Sequence, residues 1–270
     1  MLLVITVMAL VALTFAVTAH GEGIQVETSP QVIRKGILQG ETNAFQVKVT
    51  NKGSVPVEIV PEVVDLSIDE HGYNVEIPEG ADYAWGLKEF AKVSPGKFML
   101  KPGETHIAEV KIEAPRSLSG GRYGILYFVA SDPSAQGRII MVVRCGSLLL
   151  VTVPGTETYS GRIRDIRFIS RQGHAGPLGG FEVVFENTGN VHMSATGSIK
   201  ISDDRDTLVN MVLRGGTGTI LPGGTRLYRA ELREDIPDAE YEVTVDFMFG
   251  GKVATAQKAF RIRGGQACSE

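Results

Sequence analysis

Five histidines, two cysteines and a cluster of aspartates are the side chains of this chain best suited to chemistry. His20, His71, His106, His174 and His192 are scattered, and no two have the spacing of a metal-binding pair, so each is expected on a solvated loop or strand. His20 has one further option. Cleavage after Ala19 would make it N-terminal, and its amine and imidazole could then bind copper, a distant alternative for which no second ligand is identifiable. Asp203, Asp204 and Asp206 share a turn that could hold calcium. Their spacing is not that of an EF-hand and Arg205 stands among them, so a solvated hairpin turn is expected. Cys145 and Cys268 could pair as a disulfide, stay free, or bond between molecules. Ser119-Gly120-Gly121-Arg122 lacks the Lys and helix of a phosphate loop, and there is no G-x-S-x-G elbow. The expectation is a protein that is not an enzyme, with no cofactor and no metal.

The elements that must position these side chains are strands. Phe45, Val47 and Val49 alternate with Gln46, Lys48 and Thr50; Ala108, Val110 and Ile112 alternate with Glu109, Lys111 and Glu113. Tyr241, Val243, Val245 and Phe247 do the same against Glu242, Thr244 and Asp246. Period-two alternation buries one face and wets the other. No window of a dozen residues keeps a helical period with caps.

The halves repeat. Phe45-x-Val47-x-Val49-x-Asn51-x-Gly53 is matched by Phe181-x-Val183-x-Phe185-x-Asn187-x-Gly189, a buried strand ending in a turn expected to need left-handed torsions. Pro102-Gly103 is matched by Pro222-Gly223, each a turn before another strand. Tyr123 and Tyr241 each begin a later strand, where the hydroxyl of a tyrosine corner would bond to an upstream backbone group; a plain core aromatic is the other reading. The fold class is therefore all-β, with two tandem immunoglobulin-like sandwiches, the first at 22–145 and the second at 146–263, then a flexible tail at 264–270. The first carries an insertion near 67–91 with the only Trp, Trp85, which is either a recognition element or, the favoured reading, folded onto its own core. The apolar stretch 138–153 is read as the last strand of the first domain running into the first strand of the second, with Pro154-Gly155 as a turn.

Composition agrees with a folded, non-nucleic-acid-binding chain: 43% hydrophobic, 21% charged, net charge -4. Residues 1–19 carry no charge, and residues 1–21 read as a signal peptide cleaved after Ala19 or Gly21, or as an uncleaved anchor. The expected location is periplasmic or extracellular, at the cell surface, with membrane contact only through that segment if it is retained.

The run Val93-Ser-Pro95-x-x-Phe98-Met-Leu100-Lys-Pro102-Gly103-Glu104, with Val110-Lys-Ile112 and Tyr123-Gly-Ile125-Leu-Tyr127-Phe, resembles the PapD-like immunoglobulin superfamily. That group includes periplasmic pilus chaperones and domains of bacterial WxL surface proteins. Phe185-Glu-Asn187-Thr-Gly189-Asn190-Val191-His192 resembles the Ig-like domain that follows in the latter. The resemblance implies two roles. One is a binding or structural module in cell-envelope or surface assembly, with a protein or envelope polymer as partner. The other is a chaperone that adds a strand to a subunit, with Arg138, Ile139, Met141 and Val143 as the donor edge; Trp85 is a separate partner-binding candidate, for an interface that lies elsewhere. Pilus chaperones carry a basic clamp residue just before a hydrophobic pair; here Val32 and Ile33 form the pair, Gln31 precedes them, and Arg34 and Lys35 follow.

Overall fold

A computed structural model describes residues 23–134, 141–173, 176–203, 206–215, 218–232, 237–263 and 266–268. His20, Arg138, Ile139, His174 and Asp204 lie outside them. The first sandwich pairs β1 (Val26–Ser29), β3 (Thr42–Asn51), β8 (Thr105–Glu113) and β6 (Ala91–Ser94) in the order β1-β3-β8-β6. Against it lies a sheet in the order β2-β10-β9-β4-β5: β2 (Val32–Gly36), β10 (Val142–Thr152), β9 (Gly121–Ser131), β4 (Val57–Ile68) and β5 (Asn74–Glu76), with β7 (Phe98–Leu100) on β4. The alternating residues do what their spacing asks: Val47, Val49, Ala108, Val110 and Ile112 meet Ile59, Leu126, Phe128 and Leu149 in one buried core. The first strand changes sheets at Pro30, which has no N–H to donate: β1 pairs antiparallel with β3, and β2 pairs parallel with β10.

The second sandwich has a sheet β11-β12-β15, formed by β11 (Gly161–Gly173), β12 (Gly176–Asn187) and β15 (Thr225–Glu231). Facing it is β14-β13-β16-β17-β18, formed by β14 (Thr207–Val212), β13 (Thr196–Ser202), β16 (Ala239–Phe249), β17 (Lys252–Arg263) and β18 (Gln266–Cys268). Phe181, Phe185, Tyr228 and Phe247 fill its core with edge and tilted ring contacts. The molecule is two tandem Ig-like β-sandwiches.

The repeat extends to the hydrogen bond. The Asn51 amide donates to Val55 O (2.8 Å) and Leu100 O (3.1 Å), and its Oδ1 accepts the Gly53 N–H (2.9 Å). Asn187 donates to Val191 O (2.8 Å) and Ile220 O (2.9 Å), and its Oδ1 accepts the Gly189 N–H (2.9 Å). The Gly103 and Gly223 N–H groups return to Asn51 O and Asn187 O, both at 2.8 Å. Each buried Asn thus ties its own turn to the Pro-Gly turn. The left-handed residues are Gly103 (φ 78) and Gly223 (φ 74), not Gly53 and Gly189. Gly53 and Gly189 are needed for close approach instead: a Cβ on either would sit 2.1 Å from Gly23 O or 2.2 Å from Thr158 O.

Two expectations are corrected and one open choice is decided. Residues 146–152, expected to open the second domain, are the second half of β10, and Leu149, Val151 and Val153 lie in the first core. The stretch is apolar on both faces because its outer residues, Leu148 and Leu150, face a second cluster. Of the states left open for Cys145, the structure has the free thiol, 3.6 Å from the Thr28 hydroxyl. Its place is on β10 in the first sandwich, whereas Cys268 lies on β18 in the second. The tail expected at 264–270 includes β18, whose Cys268 pairs with Arg261.

Candidate partner-binding edge and interdomain cleft

β10 is flanked by β9 along its whole length but by β2 only at Leu148–Thr152. Backbone directions alternate along a strand, so the known bonds show which way each residue faces. The Leu148 N–H donates to Gln31 O (2.8 Å), and Gly146 O accepts from the Thr28 hydroxyl (3.2 Å). Even-numbered residues therefore turn their backbone groups toward β1 and β2, away from β9. Val142 and Arg144 present theirs to the same side, where no backbone partner stands among the described residues. This is an open edge at the end of β10.

Its side chains are apolar and exposed at the tip. Met141 is 62% exposed and Val142 52%, while Val143 is half-buried. Met141 and Val143 continue the core-facing set that Cys145, Ser147 and Leu149 begin. Arg144 lies 3.9 Å over the Tyr127 ring and pairs with Glu76 (3.0 Å) and Glu62 (3.4 Å). That places a guanidinium sandwich across β4, β5, β9 and β10, which stiffens the edge without covering it. Trp85 is elsewhere. It is half-buried against the cluster of Leu66, Ile68 and Tyr123, its carbonyl accepts the Tyr123 N–H (2.9 Å), and Arg122 stacks 5.8 Å from its ring. The edge and Trp85 do not form one site.

The outer face of the same sheet makes the floor of a cleft. Tyr123, Ile125 and Leu150 meet Leu221 of the second sandwich. The Tyr123 hydroxyl accepts the His192 N–H at 2.6 Å, across the domain boundary and not from an upstream residue of its own domain. Tyr241 does bond upstream, donating to Pro237 O at 2.6 Å. Burial pushes the Tyr123 phenol well above its usual range. At the mouth of the cleft Arg34, Tyr159, His192, Ser194, Thr219 and Gly250 line a cavity of about 350 Å³. Arg34 sits there because β2 pairs it with Leu150, which puts its side chain on the outer face. It has no ion-pair partner among the described residues. His192 Nδ1 is buried without a hydrogen bond, and burial first, then Arg34, lowers the affinity of this imidazole for a proton. Sequence reasoning missed Val142, Arg34 and His192 as a group. The parity of β2 could have found Arg34; nothing local marks His192.

The comparisons with known proteins add likeness of fold. No family model matches, and no curated protein matches. A chain from a chaperone–tip adhesin complex of CFA/I fimbriae biogenesis is 15% identical over 87% of this chain and 98% of its own, with a TM-score of 0.48. The class 5 fimbriae chaperone CfaA is 14% identical over 88% of this chain and 100% of its own, with a TM-score of 0.45. A PapD-like domain of human CEP192 is 17% identical over 55% of this chain and 96% of its own, at a TM-score of 0.31. Likeness at these identities concerns fold alone.

Proposed function

We propose that this chain is an exported, chaperone-like protein that binds a partner in the cell envelope by β-strand addition to the open end of β10. The observation that carries the reading is the outward-facing backbone of Val142 and Arg144, unpartnered among the described residues and bordered by exposed Met141 and Val142. An extended partner segment would gain ladder hydrogen bonds there, and its alternate side chains would meet the apolar tip. Arg34 in the cleft adds a fixed cation suited to a partner carboxylate. Envelope location follows from reading residues 1–21 as an export signal.

Proline tests the edge selectively. Val142→Pro removes an N–H that faces the open side, so β9 keeps its ladder; Val143→Pro removes one that faces β9. Val142→Pro is expected to fold with a wild-type melting temperature and to lose capture of the partner that the unmodified protein takes from envelope extract. Val143→Pro is expected to lose stability. Capture by Val142→Pro at the wild-type level would place the interface elsewhere.

A further inference from the structure

The β4–β5 hairpin reaches from the β10 edge to the interdomain cavity. At its β5 end, Glu76 pairs with Arg144 of β10 (3.0 Å), beside the open edge. At its tip, Glu70 O accepts the Leu227 N–H of β15 (2.9 Å), and Gly72 lies directly on the Arg226 guanidinium. Arg226 Nη2 in turn donates to Thr219 O (2.9 Å), and Thr219 lines the cavity that Arg34 and His192 share. The hairpin is lightly built: β5 has 3 residues, all exposed, and pairs with β4 only at Asn74, Val75 and Glu76.

The tip covers a cation with no counter-charge among the described residues. Arg226 is 4% exposed, its Nε has no hydrogen bond, and it has no ion-pair partner among those residues. The two carboxylates of the turn are engaged elsewhere. Asp69 Oδ1 accepts the Tyr73 and His71 N–H groups (2.8 and 3.0 Å), and Glu70 stands 3.7 Å from His71 Nε2. A guanidinium taken out of water without a counter-charge opposes the contact that buries it. The tip is therefore held down against Arg226 by the Leu227–Glu70 bond and by the ion pair that ties β5 to β10.

We propose that the hairpin is a latch between the β10 edge and the interdomain cavity. While Arg144 holds Glu76, the tip stays down and Arg226 stays dry. When a carboxylate of a bound partner draws Arg144 away, Glu76 is released, the tip lifts from β15, and water reaches Arg226 beside Thr219. Two arrangements of one element thus join the two sites, and each site biases the same equilibrium. The part played by a partner rests on the strand-addition reading; the latch itself does not, and it is tested in the protein alone.

Amide hydrogen exchange at Leu227 reads the latch, because that N–H is bonded to Glu70 O of the other sandwich. Arg229 of the same strand donates to Arg214 O within its own sandwich and is the control. Arg144→Met and Glu76→Gln are each expected to speed exchange at Leu227 roughly twofold to fivefold, and the double variant no further, since the same ion pair is lost in all three. Arg226→Met keeps the packing of the stem without the charge and is expected to slow it at least about tenfold. Arg229 is expected to keep its rate throughout. Unchanged exchange at Leu227 in Arg144→Met and Glu76→Gln would overturn the coupling. Faster exchange in Arg226→Met would overturn the latch, because Arg226 would then hold the tip. A parallel change at Arg229 would do the same, since the sandwich and not the hairpin would be opening.

Discussion

The most informative single residues are the two buried asparagines. Each amide supplies two donors to carbonyls of separate turns and one acceptor to a glycine N–H. Asn51→Ala leaves those groups buried and unpaired, and is expected to lower stability by about 3 kcal/mol in chemical denaturation. Asn51→Asp should cost more than Asn51→Ala, since a carboxylate would point acceptors at Val55 O and Leu100 O; equal losses would remove this assignment of donors. His192 gives a pH-dependent test. Its folded proton affinity lies below the ordinary value of 6.5, first through burial and then through Arg34. The unfolded chain therefore takes up the proton first as pH falls, so the contribution of His192 to stability is full above 6.5 and declines below it. In an NMR titration, Arg34→Met should raise the His192 midpoint but leave it under 6.5, because burial remains. No movement would mean that Arg34 does not face the ring.

Among the elements, the β4–β5 hairpin is one of the contacts between the sandwiches. Its turn closes on Asp69, whose Oδ1 accepts the Tyr73 N–H (2.8 Å) and the His71 N–H (3.0 Å). Those bonds hold the Asp69 carboxyl below its usual range, that of Tyr73 foremost. At the tip, Glu70 O accepts the Leu227 N–H of β15 at 2.9 Å, and Gly72, at φ 95, lies against the Arg226 guanidinium. Gly72→Val is strained in its backbone and would set a Cβ 2.2 Å from Arg226 Nη1. A loss of about 2 kcal/mol is expected, against almost none for Tyr73→Ala, whose side chain is 71% exposed. Equal stabilities of the two variants would show that the hairpin does not brace the second sandwich. The strands and the Asn-to-Pro-Gly repeat were legible in the sequence because alternation and turn chemistry are local signals. The brace was not, because Gly72 is distinguished only by what Arg226, on another domain, brings to it. Trp85 likewise could not be placed until its neighbours Leu66 and Tyr123 were known.

At the scale of the whole molecule, β10 serves both sandwiches and the proposed partner. Its core face fills the first sandwich, its outer face carries Leu148 and Leu150 to the cleft, and its first residues lie open. Sequence reasoning divided this strand between two domains, since an apolar run on both faces looks like two strands until the second sandwich supplies the cover for one face. Arg34 and His192 come together for the same reason: the angle between the sandwiches, held by the Tyr123–His192 bond and by Leu221, builds a cavity that neither half contains. The exposed end of β10 was legible in part. Met141 and Val143 were read from alternation, whereas Val142 needed the direction of its backbone. The central claim is that this edge is free to accept a strand. Amide hydrogen exchange of the purified protein, resolved residue by residue across Val142–Cys145, tests it most directly. The account predicts fast exchange at Val142 and Arg144 and slow exchange at Val143 and Cys145, whose N–H groups face β9. Slow exchange at all four would mean that the edge is already paired, and would contradict strand addition at β10.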